Sequence, residues 1–229
     1  MNNLTPTVKN LIIINVLMFM ANLLLPIMLP NLGFSLNDKL GLYYFAHPNF
    51  QPYQFFTHFF MHANMAHIAF NMISLFSIGS LLERFWGSKR VLNFYLICGL
   101  GAGFIHMLTQ MIFVWNELGH LIPSETEMSL VSNIIGTLDE GSRGLGASGA
   151  VFGIFAAVAL LFPNSEFFIF FIPFPIKAKY LLIATVIISI ILGIANFRYD
   201  PIAHFAHLGG IITGYVLTKY FNKDKRRFY

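Results

Sequence analysis

The sequence predicts an all-α polytopic membrane protein, six transmembrane helices forming one bundle over residues 1–229. Three observations carry this expectation. Hydrophobic residues make up 56% of the 229-residue chain and charged residues only 10%, where a soluble domain is about a quarter charged. Charge-free apolar runs close to the roughly 20 residues that cross a hydrocarbon core recur along the chain. The basic residues also fall mostly on one side of the topology that these runs define.

Lys9 and Asp38 bracket the first run, with its apolar core at about 11–29. It is long and no small-residue cleavage site follows it, so it reads as a span and not as a cleaved signal. The next stretch, Leu40 to Pro52, holds Gly41, His47, Pro48, Asn49 and Pro52 and reads as an irregular, partly amphipathic loop. The second span runs over about 55–82, starting at Phe55 or at His62, and the third over about 91–115. A long acidic loop follows, from Asn116 to Arg143, with Glu117, Glu125, Glu127, Asp139 and Glu140. The fourth, fifth and sixth spans cover about 146–162, 180–196 and 203–217. Phe167–Ile176 is apolar but short and broken by Pro173 and Pro175, which predicts an interfacial loop.

With the N-terminus in the cytoplasm, eleven of the fourteen basic residues lie inside and only Lys39, Arg143 and Arg198 lie outside. Both termini are then cytoplasmic. The tail at 223–229, with Lys223, Lys225, Arg226 and Arg227, faces anionic lipid and not nucleic acid. The compact six-span form points to a bacterial plasma (inner) membrane. The single cysteine, Cys98, excludes an internal disulfide and a cysteine cluster for zinc, and its apolar helix makes it a packing residue.

In this topology spans two, four and six run in the same direction, so their N-terminal ends share one depth near the outer face. Those ends carry His62, His67 and Asn71, then Ser148, then His204 and His207. Polar residues inside spans are costly and tend to mark function. Ser148 sits in Gly146-Ala147-Ser148-Gly149 at the start of a hydrophobic helix. On that motif alone packing is the better reading, since Gly149 and Gly153 form a small-xxx-small pair. The alternative is a nucleophile at a helix N-terminus. His207 changes the balance. It is followed by Gly210 and Gly214, and steps of three and four keep all three within about a 60° arc of one helix face. Those glycines can press against Gly149 and Gly153 and bring a histidine base beside Ser148. His204, one turn earlier, is the runner-up. His67 and Asn71, four residues apart, are candidate oxyanion donors, although bonding to neighbouring helices explains them equally well. Phe152, one turn after Ser148, can stack on the imidazole. The nearest carboxylate, Asp200, lies seven residues before His207 beyond Pro201, so a Ser-His dyad is the simpler expectation.

Together these residues resemble the rhomboid family of intramembrane serine proteases, over about Phe55 to Gly214. The resemblance rests on His62-x4-His67-x3-Asn71, on Gly-x-Ser-Gly at Gly146 to Gly149, and on Ala-His-x-x-Gly-x-x-x-Gly from Ala206 through His207 and Gly210 to Gly214. The Glu83-Arg84-x-x-Gly87 turn and the helix of Tyr95 add to it. It implies Ser148 as nucleophile, His207 as general base, His67 and Asn71 in an oxyanion hole, and His62 lining the same cavity. Two departures are present. Some members carry Trp-Arg where this chain has Tyr53-Gln54, and some have tyrosine in place of Phe152.

The expected function is therefore an intramembrane serine endopeptidase whose partners are transmembrane protein substrates and the lipid bilayer. No cofactor, metal or nucleic acid is expected, since His-Glu-x-x-His and paired intramembrane aspartates are both absent. The competing readings are a non-cleaving relative that binds or chaperones membrane proteins, and a transporter, haem or metal site built on the eight histidines. The first would normally lack the serine or the histidine. The second would place its histidines nearer mid-membrane.

Overall fold

The computed structural model describes residues 4–134, 143–168, 173–195 and 204–222. It is a polytopic helical bundle. Helix α1 (Pro6–Met28) starts at Pro6, where a missing N–H costs nothing because the first turn has no partner for it. A short helix α2 (Leu36–Leu40), capped by Ser35, and strand β1 (Leu42–Tyr43) follow. Helix α3 (Gln54–Thr57) leads through a 3-10 turn at His58–Phe60 to the second span.

That span opens with α4 (Met65–Ser74), where the Asn64 side chain accepts the His67 N–H at 2.9 Å, a standard N-cap. The non-helical residues 61–64 make the membrane helix shorter than a start at Phe55 would give. A π-helical segment, Leu75–Gly79, joins it to α5 (Ser80–Trp86). Gly87, at φ 82°, turns the chain into the 31-residue α6 (Ser88–Leu118), which Gly119 ends at φ 75°. The acidic loop contains α7 (Glu125–Ile134). The Ser124 hydroxyl and main-chain N–H both donate to Glu127 and hold its carboxyl below the usual carboxylate range. Strand β2 (Arg143–Gly144) pairs antiparallel with β1, Leu42 against Gly144 and Tyr43 against Arg143.

Helix α8 (Ser148–Leu161) is followed by a small hairpin, β3 (Glu166–Phe167) against β4 (Ile176–Lys177). Helices α9 (Ala178–Ala195) and α10 (His204–Asn222) complete the bundle. Among the described residues three helices, Pro6–Met28, Met65–Trp86 and Ser88–Leu118, are long and apolar enough to cross a membrane, and α8 and α9 are shorter apolar helices. Asp200 and the basic residues at 223–229 lie outside the described residues.

Helices α6, α8 and α10 form the centre. A buried apolar cluster including Leu75, Leu82, Phe94, Tyr95, Ile154 and Val158 joins the second span to α6 and α8. Leu42, Tyr44, Met107, Val114 and Val131 make a smaller cluster under the first loop and α7. The isoleucines of α9, among them Ile183, Ile187, Ile191 and Ile194, are exposed. A helix apolar on its outward side suits lipid as its solvent.

One carboxylate ties the first three spans together. Glu83 is buried and accepts the main-chain N–H groups of Thr7 and Val8, each at 2.9 Å, and the hydroxyls of Thr5 and Ser88. It thereby caps the N-terminus of α1 and fixes the start of α6. Replacing it strands several donors in the interior. Glu83→Ala should cost roughly 2–4 kcal/mol of stability, since buried donors then lose a charged acceptor. Thermal unfolding in detergent, followed by tryptophan fluorescence, measures this, and a midpoint within a degree of wild type would contradict it.

Candidate active site

The close approach of α8 and α10 depends on glycine. A Cβ on Gly210 would overlap the carbonyl group of Gly149, and one on Gly214 would overlap the carbonyl of Gly153 and lie 2.7 Å from its Cα. Gly153 in turn faces the main-chain oxygen of Gly210, where a Cβ would lie 3.0 Å away, and the Cys98 side chain of α6. Ala102 of α6 lies against both Gly149 and Gly209. With no side chain between the two helices, backbone meets backbone, the geometry that small-residue stripes permit in lipid.

At the mouth of this contact His207 Nε2 lies 2.9 Å from Ser148 Oγ. The distance is that of a hydrogen bond. Ser148 is the first residue of α8, and the first bond of its ladder runs from the Val151 N–H to the Ala147 carbonyl at 2.9 Å. The N–H groups of Ser148, Gly149 and Ala150 therefore precede the ladder and face the helix end. The Phe152 ring packs on His207 with centroids 4.3 Å apart and planes tilted by 40°. His204 meets His207 edge-on, with ring centroids 6.1 Å apart.

Span two supplies the opposite wall. Gly146, at φ 114°, is in backbone space that side chains avoid. A Cβ there would lie 2.6 Å from His67 Cε1 and Nε2 and 3.8 Å from Asn71 Nδ2. The structure thus brings His67 and Asn71 against the loop that carries Ser148. Asn71 donates one amide hydrogen to the His67 carbonyl at 3.0 Å, and its amide has a second to offer. His62 is fully buried and meets His67 edge-on at 5.1 Å. Among the described residues no group of three or more His, Cys, Asp or Glu could hold a metal ion.

A rhomboid domain model matches residues 49–223, which takes in every residue of this constellation. The chain belongs to the rhomboid family. It is 30% identical over 168 residues to the rhomboid protease AarA of Providencia stuartii, covering 69% of this chain and 52% of that protein. It is 27% identical over 172 residues to the mitochondrial rhomboid protein 1 of Saccharomyces cerevisiae, covering 73% and 42%. RHOMBOID-like protein 1 of Arabidopsis thaliana is 28% identical over 168 residues, covering 73% and 34%. The chain thus spans about half, or less, of the length of these relatives. As a rhomboid with a helical membrane bundle, it is an integral membrane protein.

Several residues around this rhomboid site carry no signal in the sequence. The His58 carbonyl accepts the Gly146 N–H at 3.0 Å, a main-chain contact that any residue type could make. Ala102 is different, because the small-residue run Gly99, Gly101, Ala102, Gly103 on α6 marks a close-packing face that periodicity could have found. The glycine seam gives a direct test. Gly210→Ala should lower stability by roughly 1–3 kcal/mol through overpacking, read as a fall in thermal midpoint. An unchanged midpoint would mean that α8 and α10 are not held in this contact.

Proposed function

We propose that this chain is an intramembrane serine endopeptidase that cleaves peptide bonds in or near the transmembrane segments of other proteins. The single observation that supports it most is the 2.9 Å contact between Ser148 Oγ and His207 Nε2 at the N-terminus of α8. In the tautomer with its proton on Nδ1, His207 presents the Nε2 lone pair to the serine hydroxyl. His207 takes that proton as Ser148 Oγ attacks the substrate carbonyl carbon. Negative charge gathers on the former carbonyl oxygen. The main-chain N–H at Ser148, with His67 and the second amide hydrogen of Asn71, supplies donors for it. Protonated His207 then gives the proton to the departing amine. Water, deprotonated by the same imidazole, attacks the acyl-enzyme and releases Ser148.

Phe152 holds the imidazole plane by stacking, a role that needs the ring and no hydroxyl. The substrate must present an extended backbone, whereas a membrane helix satisfies its own N–H and C=O groups internally. Small residues next to helix-destabilising ones are therefore the preferred substrate segment. The charge bias supports cytoplasmic termini with Ser148 near the outer face, and the compact six-span form supports a bacterial plasma membrane. One rhomboid domain over 1–229 and a Ser-His dyad complete this reading.

The test is labelling of the detergent-purified protein with a fluorophosphonate serine probe. Wild type should label, while Ser148→Ala and His207→Ala should lose labelling with folding intact. A well-folded wild type that neither labels nor cleaves a membrane substrate in liposomes would favour the non-cleaving, protein-binding reading. Gly146→Ala, which drives a methyl group into His67, should slow labelling by about 10²-fold, the scale of one lost oxyanion donor. A rate equal to wild type would remove His67 from the site.

A further inference from the structure

We propose that Gln54 is a positioning residue that holds the Ser148 loop through His58 and β1, an inference that rests on the protease reading above. Gln54 is fully buried in the first loop. Its Oε1 accepts the Tyr43 N–H at 3.3 Å, and its Nε2 donates to the carbonyls of Lys39 at 3.2 Å and Asn49 at 2.9 Å. Its own carbonyl accepts from His58 Nδ1 at 2.9 Å. One side chain thus gathers three separate stretches of the loop, and its main chain orients the histidine that follows.

One of those stretches, at Tyr43, and His58 reach the catalytic segment. Tyr43 and Leu42 form β1, which pairs with β2 at Gly144, two residues before Gly146. His58 accepts the Gly146 N–H through its main-chain oxygen, while its ring fills the slot left by Gly103, where a Cβ would lie 2.8 Å from His58 Cε1. The segment Gly144–Gly146 is therefore held at both ends by elements that Gln54 joins. That outside support matters because Gly146, at φ 114°, sits in a conformation with no local preference to keep it there. Ser148 comes two residues later. Gln54 does not touch it, so its influence passes through the loop.

The residue type is specific to this arrangement. A glutamine offers both an acceptor and two donors from one planar group. Arginine in its place could donate to the Lys39 and Asn49 carbonyls but could not accept from Tyr43.

Gln54→Leu keeps the volume and removes all three side-chain bonds. Gln54→Glu keeps the acceptor for Tyr43 and loses the donors, which provides a milder variant if the leucine form does not fold. Two readouts are taken on each folded protein. Hydrogen exchange should rise about tenfold over 143–148, with α1 and the α5–α6 turn as protected as in wild type. The maximal rate of fluorophosphonate labelling should fall roughly tenfold per folded molecule, while the probe concentration giving half that rate stays the same; both scales correspond to losing one or two net hydrogen bonds. A residue serving stability alone would lower the melting temperature and leave the labelling rate of the folded fraction unchanged, and that result overturns the inference. Exchange over 143–148 equal to wild type overturns it too, whatever the activity. An unlabelled wild type with intact exchange protection would instead sink the protease reading.

Discussion

The constraint on which the molecule depends is the absence of side chains between α8 and α10. Four glycines, Gly149 and Gly153 on one helix and Gly210 and Gly214 on the other, let two backbones meet: a Cβ on Gly210 or Gly214 would collide with the facing carbonyl, and one on Gly149 or Gly153 with Ala102 or Cys98 of α6. In lipid there is no hydrophobic gain from bringing two apolar helices together, so close van der Waals contact and polar pairing must hold them. The same contact fixes the relative height and rotation of the helices. A serine and a histidine at the matching end then arrive within hydrogen-bond distance with little freedom left to lose.

Around that seam, each wall of the site answers a different physical need. Span two brings His67 and Asn71 against the Gly146 turn, and its Asn64 cap sets where the helix begins. Helix α6 provides a floor of small residues, with Ala102 and Cys98 pressed against the glycines of α8. The first loop holds the entry to α8 from outside through β1 and the His58 carbonyl. Far from the site, Glu83 gathers the ends of three helices on a single buried carboxylate. The rigid parts and the reactive parts are thus built from different chemistry. Apolar packing and glycine contacts set the distances, and a few buried polar groups set the orientations.

Much of the bundle was legible in the sequence because lipid imposes simple rules. Charge-free runs mark helices, and the spacing of Gly210 and Gly214 from His207 marks a face. Other features had no such rule behind them. The π-helical segment at Leu75–Gly79 comes from how neighbouring helices pack, and its residues look like any apolar run. The loop at 40–52 reads as irregular, yet it contributes a strand whose partner lies about a hundred residues away, a pairing that composition cannot reveal. The acidic loop hides α7, whose start depends on one Ser124–Glu127 cap. His58 acts on Gly146 through main-chain oxygen, so its residue type says nothing of that contact. The hydrogen bonds of Gln54 likewise emerge only once three stretches of loop are folded around it.

The order of the chain has its own consequence for how the protein comes into being. Ser148 begins the fourth of the membrane helices and His207 lies on the last, with α9 between them. A polypeptide inserted from its N-terminus onward carries the serine into the bilayer well before the imidazole exists beside it. Until α10 docks, the Ser148 hydroxyl lacks the His207 contact that it has in the folded bundle. The serine–histidine pair comes together only with the completed bundle.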